Sequence, residues 1–246
     1  MSEIVKAEAI VLTKINYSDT SNIASLYTDE FGKISVIIKG GRNPKSKFGM
    51  IVDPLNYINI IIYKKETREV QLLSGADLIS HFPNIKEDLN SMKYAYAIIE
   101  LVKNLTPESE PHKLIFKGLT RILSLLDQSR EKPEILFGRF ILFFLKEIGY
   151  EIQLNKCSIC NKTGLKNKSL GYNYERGLLC DDCRKENITN YSIEPELFNY
   201  LFCLKNNEQI SSLTEKITKA ANNFFEAYIQ FHVTNFKGIQ SLRSFN

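Results

Sequence analysis

The chain has 246 residues, 43% of them hydrophobic and 24% charged, and 32 Lys and Arg against 28 Asp and Glu leave a net charge of +4. That composition excludes wholesale disorder, and no apolar run approaches the ~18 residues of a membrane span. A charge this mild does not by itself mark a nucleic-acid binder, so the placement of the cations decides. The opening Met1-Ser2-Glu3-Ile4-Val5-Lys6 lacks the basic, apolar and small-residue order of a secretory signal, and the cytoplasm is the expected compartment.

Residues 1–80 read as short strands. Glu8–Lys14 carries Ile10-Val11-Leu12, and Asn22–Thr28 alternates Ile23, Ser25 and Tyr27 with Ala24 and Leu26. Lys33–Lys39 sets Ile34, Val36 and Ile38 on one face, Leu55–Tyr63 is β-branched and aromatic, and Glu69–Gly75 alternates Val70 and Leu72. Period-two patterning between turn clusters predicts antiparallel strands. Five such strands close most economically into a small barrel of the OB type, because closure removes exposed edges.

The period then lengthens. Helices are predicted over Asp88–Leu105, Pro111–Ser129 and Pro133–Ile148, with Gly149 as terminator. Short loops join these three, which should pack as a bundle. Residues 154–186 break the helical pattern, and helices resume at Pro195–Lys205 and from about Leu213 to Phe236. The expected architecture is α+β and multidomain: an OB-like β-barrel over 1–80, a helical domain over 81–153 and 189–246, and a four-cysteine module inserted at 154–188.

Four of the five cysteines form two Cys-x-x-Cys knuckles, Cys157/Cys160 and Cys180/Cys183, nineteen residues apart. That spacing matches a tetrahedral zinc site, and four thiolates leave no open position, so one structural Zn2+ is expected. Lys156, Lys162, Lys166, Lys168, Arg176, Arg184 and Lys185 surround the knuckles; they could meet phosphate or form a solvated rim that offsets the thiolates. Cys203 reads as a buried thiol and not a ligand.

Between Phe31 and Val52 there is no acidic residue, while Lys33, Lys39, Arg42, Lys45 and Lys47 fall inside the segment. Residues 1–80 otherwise balance, with 10 basic and 9 acidic residues. Gly40-Gly41 permits close approach to a ligand, and Phe48 offers a ring near the cations. Cations concentrated on an OB-like barrel suit single-stranded nucleic acid; a solvated Lys-rich loop is the alternative. Five neutralised phosphates would give a single-strand salt slope of about −3.5. No catalytic constellation is visible: His81, His112 and His232 stand apart, and there is no phosphate-binding loop and no His-Glu-x-x-His. A zinc-containing DNA-binding transcription regulator is the rival, though no basic recognition helix flanks the cysteines. A metal-dependent nuclease or deaminase would need an open metal position.

Several segments in order resemble a known family. Ala9-Ile10-Val11-Leu12 followed by Tyr17, Tyr27-Thr28-Asp29-Glu30-Phe31-Gly32-Lys33-Ile34-Ser35, Lys39-Gly40-Gly41-Arg42 with Ser46 and Phe48, and Asp53-Pro54-Leu55 resemble the amino-terminal domain of the RecO family of bacterial DNA repair proteins. Arg139-Phe140-Ile141-Leu142-Phe143-Phe144-Leu145 with Ile148-Gly149-Tyr150, running into the cysteine knuckles, resembles the family's helical domain and zinc module. Asp19 stands where the family usually has Glu, Gly41 replaces a small residue with a Cβ, and the tail Ser241–Phe245 keeps Arg243 and Phe245 without the usual Lys. The resemblance implies a non-enzymatic, nucleoid-associated recombination mediator that binds single- and double-stranded DNA and anneals complementary strands. It also implies RecR, often RecF, and single-stranded DNA-binding protein as partners, with loading of RecA as the outcome. Arg139 matches the family arginine that meets the acidic, Phe-ending tail of single-stranded DNA-binding protein.

Overall fold

The computed structural model describes residues 3–128, 130–166 and 168–244; Ser129 and Phe245, both named above, lie outside them. The chain forms two compact units, one of residues 1–133 with 241–246 and one of residues 134–240. No helix among the described residues is long and apolar enough to cross a membrane.

The first unit opens with β1 (Glu3–Tyr17), β2 (Ser21–Thr28) and β3 (Gly32–Ile38), followed by the short helix α1 (Lys47–Ile51), β4 (Tyr57–Lys64) and β5 (Val70–Ser80). These strands close a barrel in the order β1-β2-β3-β5-β4. All pairings are antiparallel except β3 with β5, as an OB-type barrel requires. Strand β1 is longer than its sequence pattern suggests because it serves two neighbours: Glu3–Ile10 pairs with β4, and Ala9–Tyr17 pairs with β2 past a register shift at Val11/Thr13. Alternation sends Ala24 and Leu26, Ile34, Val36 and Ile38, and Ile58, Ile60 and Ile62 into one core.

Three helices follow in the same unit: α2 (Pro83–Glu87), α3 (Leu89–Leu105) and α4 (Lys113–Gln128). Asp88 caps α3 by accepting from the Ser91 N–H at 2.7 Å. Asp127 accepts from the N–H groups of Asn84 and Ile85 and so holds the start of α2. The Lys86 ammonium reaches Asn56 Oδ1 at 2.9 Å, tying α2 to the barrel.

The second unit begins with α5 (Pro133–Glu147), which the division therefore groups with the later helices. A three-stranded sheet follows, β6 (Leu170–Asn173), β7 (Gly177–Leu179) and β8 (Tyr191–Ile193), in the order β7-β6-β8. Helices α6 (Pro195–Asn206) and α7 (Glu215–His232) complete it, and α8 (Gln240–Ser244) lies at the junction of the two units in the chain. Tyr172 and Tyr191 meet Phe224 of α7 edge to face, so the small sheet packs on that helix through aromatic rings.

Candidate nucleic-acid interface and metal centre

The acid-free segment leaves β3 and folds into a fixed loop. Gly40 has φ +67°, a left-handed conformation that favours glycine. The Arg42 N–H donates to Thr20 O at 3.0 Å, and the Arg42 guanidinium donates to Ser18 O at 2.7 Å. Asn43 Oδ1 accepts from the Lys45 N–H, and Ser46 Oγ accepts from the Gly49 N–H, which caps α1. At the far end, Lys14 binds Gly49 O at 3.1 Å and Asp53 at 2.6 Å. A Cβ at Gly41 would come within 2.6 Å of the Asn22 side-chain oxygen and 2.9 Å of the Ile38 side chain, so both would have to shift to admit it.

Four of the five expected cations lie at the surface of this segment. Lys39, Arg42, Lys45 and Lys47 are exposed, and Lys39 and Lys45 have no carboxylate partner among the described residues. Lys47 lies 3.6 Å from Asp77, in a pair so exposed that water screens most of it. Lys33 is placed elsewhere. It is 8% exposed, its ammonium donates to the carbonyls of Lys103 and Thr106 at 2.6 Å each, and Glu108 lies 3.3 Å away. It therefore ties β3 to the end of α3 and has no reach to solvent phosphate. Phe48 also differs from expectation, since its ring packs against the barrel core.

In the second unit, the sulfurs of Cys157, Cys160, Cys180 and Cys183 all lie within 4.8 Å of one another, close enough to hold a metal ion. Four thiolates about 2.3 Å from a tetrahedral zinc would sit about 3.8 Å apart, and Cys160 Sγ lies 3.7 Å from Cys180 Sγ. Burial opposes ionisation of Cys157, but backbone N–H groups of Cys160, Cys180 and Ile159 face its sulfur and bring it down to about 6. Hydrogen bonding to Cys180, then burial, pushes Cys183 up to about 12. The donor set, four sulfurs within tetrahedral reach of one point, fits Zn2+.

Lys162 pairs with Asp182 at 3.2 Å, and Lys168 lies 3.9 Å from Asp181, so these cations form part of a mixed-charge rim. Among the described residues of the cysteine module, the helical element is a three-residue turn at Cys183–Lys185, too short to enter a DNA groove as a recognition helix. Cys203 is half-buried, not buried, because it lies at the edge of a pocket between α6 and the segment before α7. Burial and then the Glu208 carboxylate push its thiol up, which leaves it protonated.

Arg139 begins a second cationic feature. Arg139, Leu142, Phe143 and Lys146 share one face of α5 at helical spacing. With Glu151, Ile152, Leu204, Lys205 and Asn207 they line a cavity of about 330 Å³. Lys205 is bound to Glu151 at 3.0 Å and to Ile152 O at 2.7 Å, and Arg139 donates to Glu208 O at 3.3 Å. The cavity thus has apolar walls from Leu142, Phe143, Ile152 and Leu204, and a rim on which Glu151 offsets Lys205 while Arg139 and Lys146 leave a net positive charge. Its α5 spacing was visible in the sequence, whereas its α6 wall, more than fifty residues on, was not.

Residues 1–82 match the family model described as Recombination protein O N terminal, and residues 86–239 match Recombination protein O C terminal. DNA repair protein RecO of Chlorobium limicola is 37% identical over 154 residues, covering 63% of this chain and 59% of that protein. The protein of the same name from Prosthecochloris aestuarii is 32% identical over 156 residues, and this chain again spans 59% of its length. The one from Alkaliphilus metalliredigens is 28% identical over 246 residues, covering 96% and 98% of the two chains.

Proposed function

Because the chain belongs to the RecO family, we propose that it serves DNA repair and recombination as a mediator that works by binding, without turnover. It grips single- and double-stranded DNA, anneals complementary strands coated by single-stranded DNA-binding protein, and with RecR and RecF promotes RecA loading. The observation that carries this reading is the fixed loop on the barrel, which presents Lys39, Arg42, Lys45 and Lys47 outward and exposed. Annealing requires that phosphate repulsion be lowered while bases stay available, and a cationic barrel surface supplies that without covalent chemistry.

Zn2+ held by Cys157, Cys160, Cys180 and Cys183 is structural in this reading, because four sulfurs leave no open coordination position. The groove at Arg139 receives the tail of single-stranded DNA-binding protein: its cations face the acidic residues, its apolar wall takes the terminal Phe, and the guanidinium takes the carboxylate.

The test is annealing of coated complementary oligonucleotides by the wild type and by a variant with Lys39, Arg42, Lys45 and Lys47 replaced by Gln. With four cations engaged, the single-strand salt slope is about −2.8, or roughly a 50-fold loss of affinity between 50 and 200 mM salt. The variant is expected to lose annealing and to flatten that slope. Unchanged annealing would move the DNA site off the barrel.

A further inference from the structure

Beside the cationic loop, the outer wall of the barrel carries an apolar row that the core does not use. Ile15 of β1 stands directly opposite Ile23 of β2, and Ile23 stands opposite Ile37 of β3. Their neighbours Ala24, Val36 and Ile38 belong to the core, so alternation turns Ile15, Ile23 and Ile37 outward. Tyr17, one step further on the same face of β1, is 51% exposed, and Ile15 is 60% exposed. Neighbouring strands lie about 4.8 Å apart, so the row spans about 10 Å.

The cations border this row directly. Lys39 is exposed in the turn directly after Ile38, the last residue of β3. Arg42 is bound through its main chain to Thr20 and through its guanidinium to Ser18, both in the turn that begins just after Tyr17. An exposed ring and a flat aliphatic strip, edged by Lys39 and Arg42 and by the exposed Asp19 of the turn, whose single charge the two cations outweigh, are complementary to a chain that is anionic along one edge and apolar along the other. Single-stranded DNA has that chemistry; a duplex does not, because its bases are stacked away inside. An acidic protein segment ending in an aromatic ring offers one flat partner at its end, whereas a single strand offers one at every nucleotide beside each phosphate.

We propose that Tyr17, backed by Ile15, Ile23 and Ile37, is the platform on which the barrel stacks the bases of single-stranded DNA, while Lys39, Arg42 and Lys45 hold the phosphates. This deepens the proposed function and rests on it. It gives the barrel a physical means of preferring single strands, since stacking requires unpaired bases whereas phosphate contacts do not.

The chain contains no Trp, so Tyr17→Trp installs a single indole at the platform. Oligothymidylate is expected to quench its fluorescence with the same midpoint as the anisotropy of a labelled strand. Tyr17→Ala is expected to weaken single-strand binding on the order of 10-fold, leave duplex binding unchanged, and be rescued by Tyr17→Phe. The exposure of Tyr17 keeps these variants folded, which circular dichroism checks. Binding with an undisturbed indole, or an equal loss for single strands and duplex, would overturn the platform and leave the cationic site standing. A change in sedimentation of Tyr17→Ala without loss of single-strand binding would assign the row to a second copy of the chain and also overturn it. Failure of the wild type to bind any DNA would remove the proposed function together with the platform.

Discussion

Lys33 shows how a side chain with the sequence signature of a DNA contact can do something else. It lies in the same acid-free stretch as Lys39 and points away from the barrel core, yet the end of α3 covers it. Two backbone carbonyls and one carboxylate surround its ammonium. Replacing it with Met keeps the aliphatic stem but leaves the carbonyls of Lys103 and Thr106 without that donor, which costs about 1–3 kcal/mol. Lys33→Met should therefore lower the denaturation midpoint while the folded protein keeps its DNA affinity and salt slope. Lys39→Gln should do the reverse. If Lys33→Met reduced DNA affinity as much as Lys39→Gln, the buried position would have to open on binding. The outward parity of Lys33 was legible in the strand pattern. Its cover was not, because the covering carbonyls lie some seventy residues further along the chain.

Secondary-structure elements were legible where periodicity ran long. The β-branched, aromatic run Leu55–Tyr63 marked a strand, the apolar stripe of 94–102 marked α3, and two Cys-x-x-Cys knuckles marked a cluster of four sulfurs able to hold a metal. The five-residue helices α1 and α2 escaped notice because one turn is too short to show a period, and what fixes them is capping by Ser46 and Asp127. With the proposed Zn2+ at its four sulfurs, the cysteine module is expected to depend on that metal for its fold. Its strands β6, β7 and β8 have only four, three and three residues, so little local structure survives without a cross-link. Structural zinc contributes on the order of 10 kcal/mol in small peptides, comparable with the whole stability of a domain. Elemental analysis should find one zinc per chain. The double replacement Cys180→Ser/Cys183→Ser should abolish it and destroy the ordered signals of Tyr172 and Tyr174 in β6 and just after it. Retention of those signals in the metal-free protein would show that the module folds on its aromatic contacts with α7.

At the scale of the whole molecule, a modest net charge of +4 leaves room for local cationic surfaces. One is the barrel loop and another is the rim of the groove at Arg139, and the proposed function gives each a different kind of anion. DNA offers many equivalent phosphates, so its binding weakens steeply with salt. A peptide tail offers one terminal carboxylate beside an apolar ring, so its binding depends on a single charge-assisted contact backed by area. Removing such a contact costs about 1.5–3 kcal/mol, or roughly 10- to 100-fold in affinity. An acidic peptide ending in Phe should thus bind the wild type 10- to 100-fold more tightly than it binds Arg139→Ala. Amidating its terminal carboxylate should weaken wild-type binding by a similar factor. The two changes remove the same contact, so amidation should add little once Arg139 is gone. Additive losses would place the carboxylate on Lys146 or Lys205 instead, and leave Arg139 bound to the Glu208 carbonyl as a brace between α5 and the end of α6.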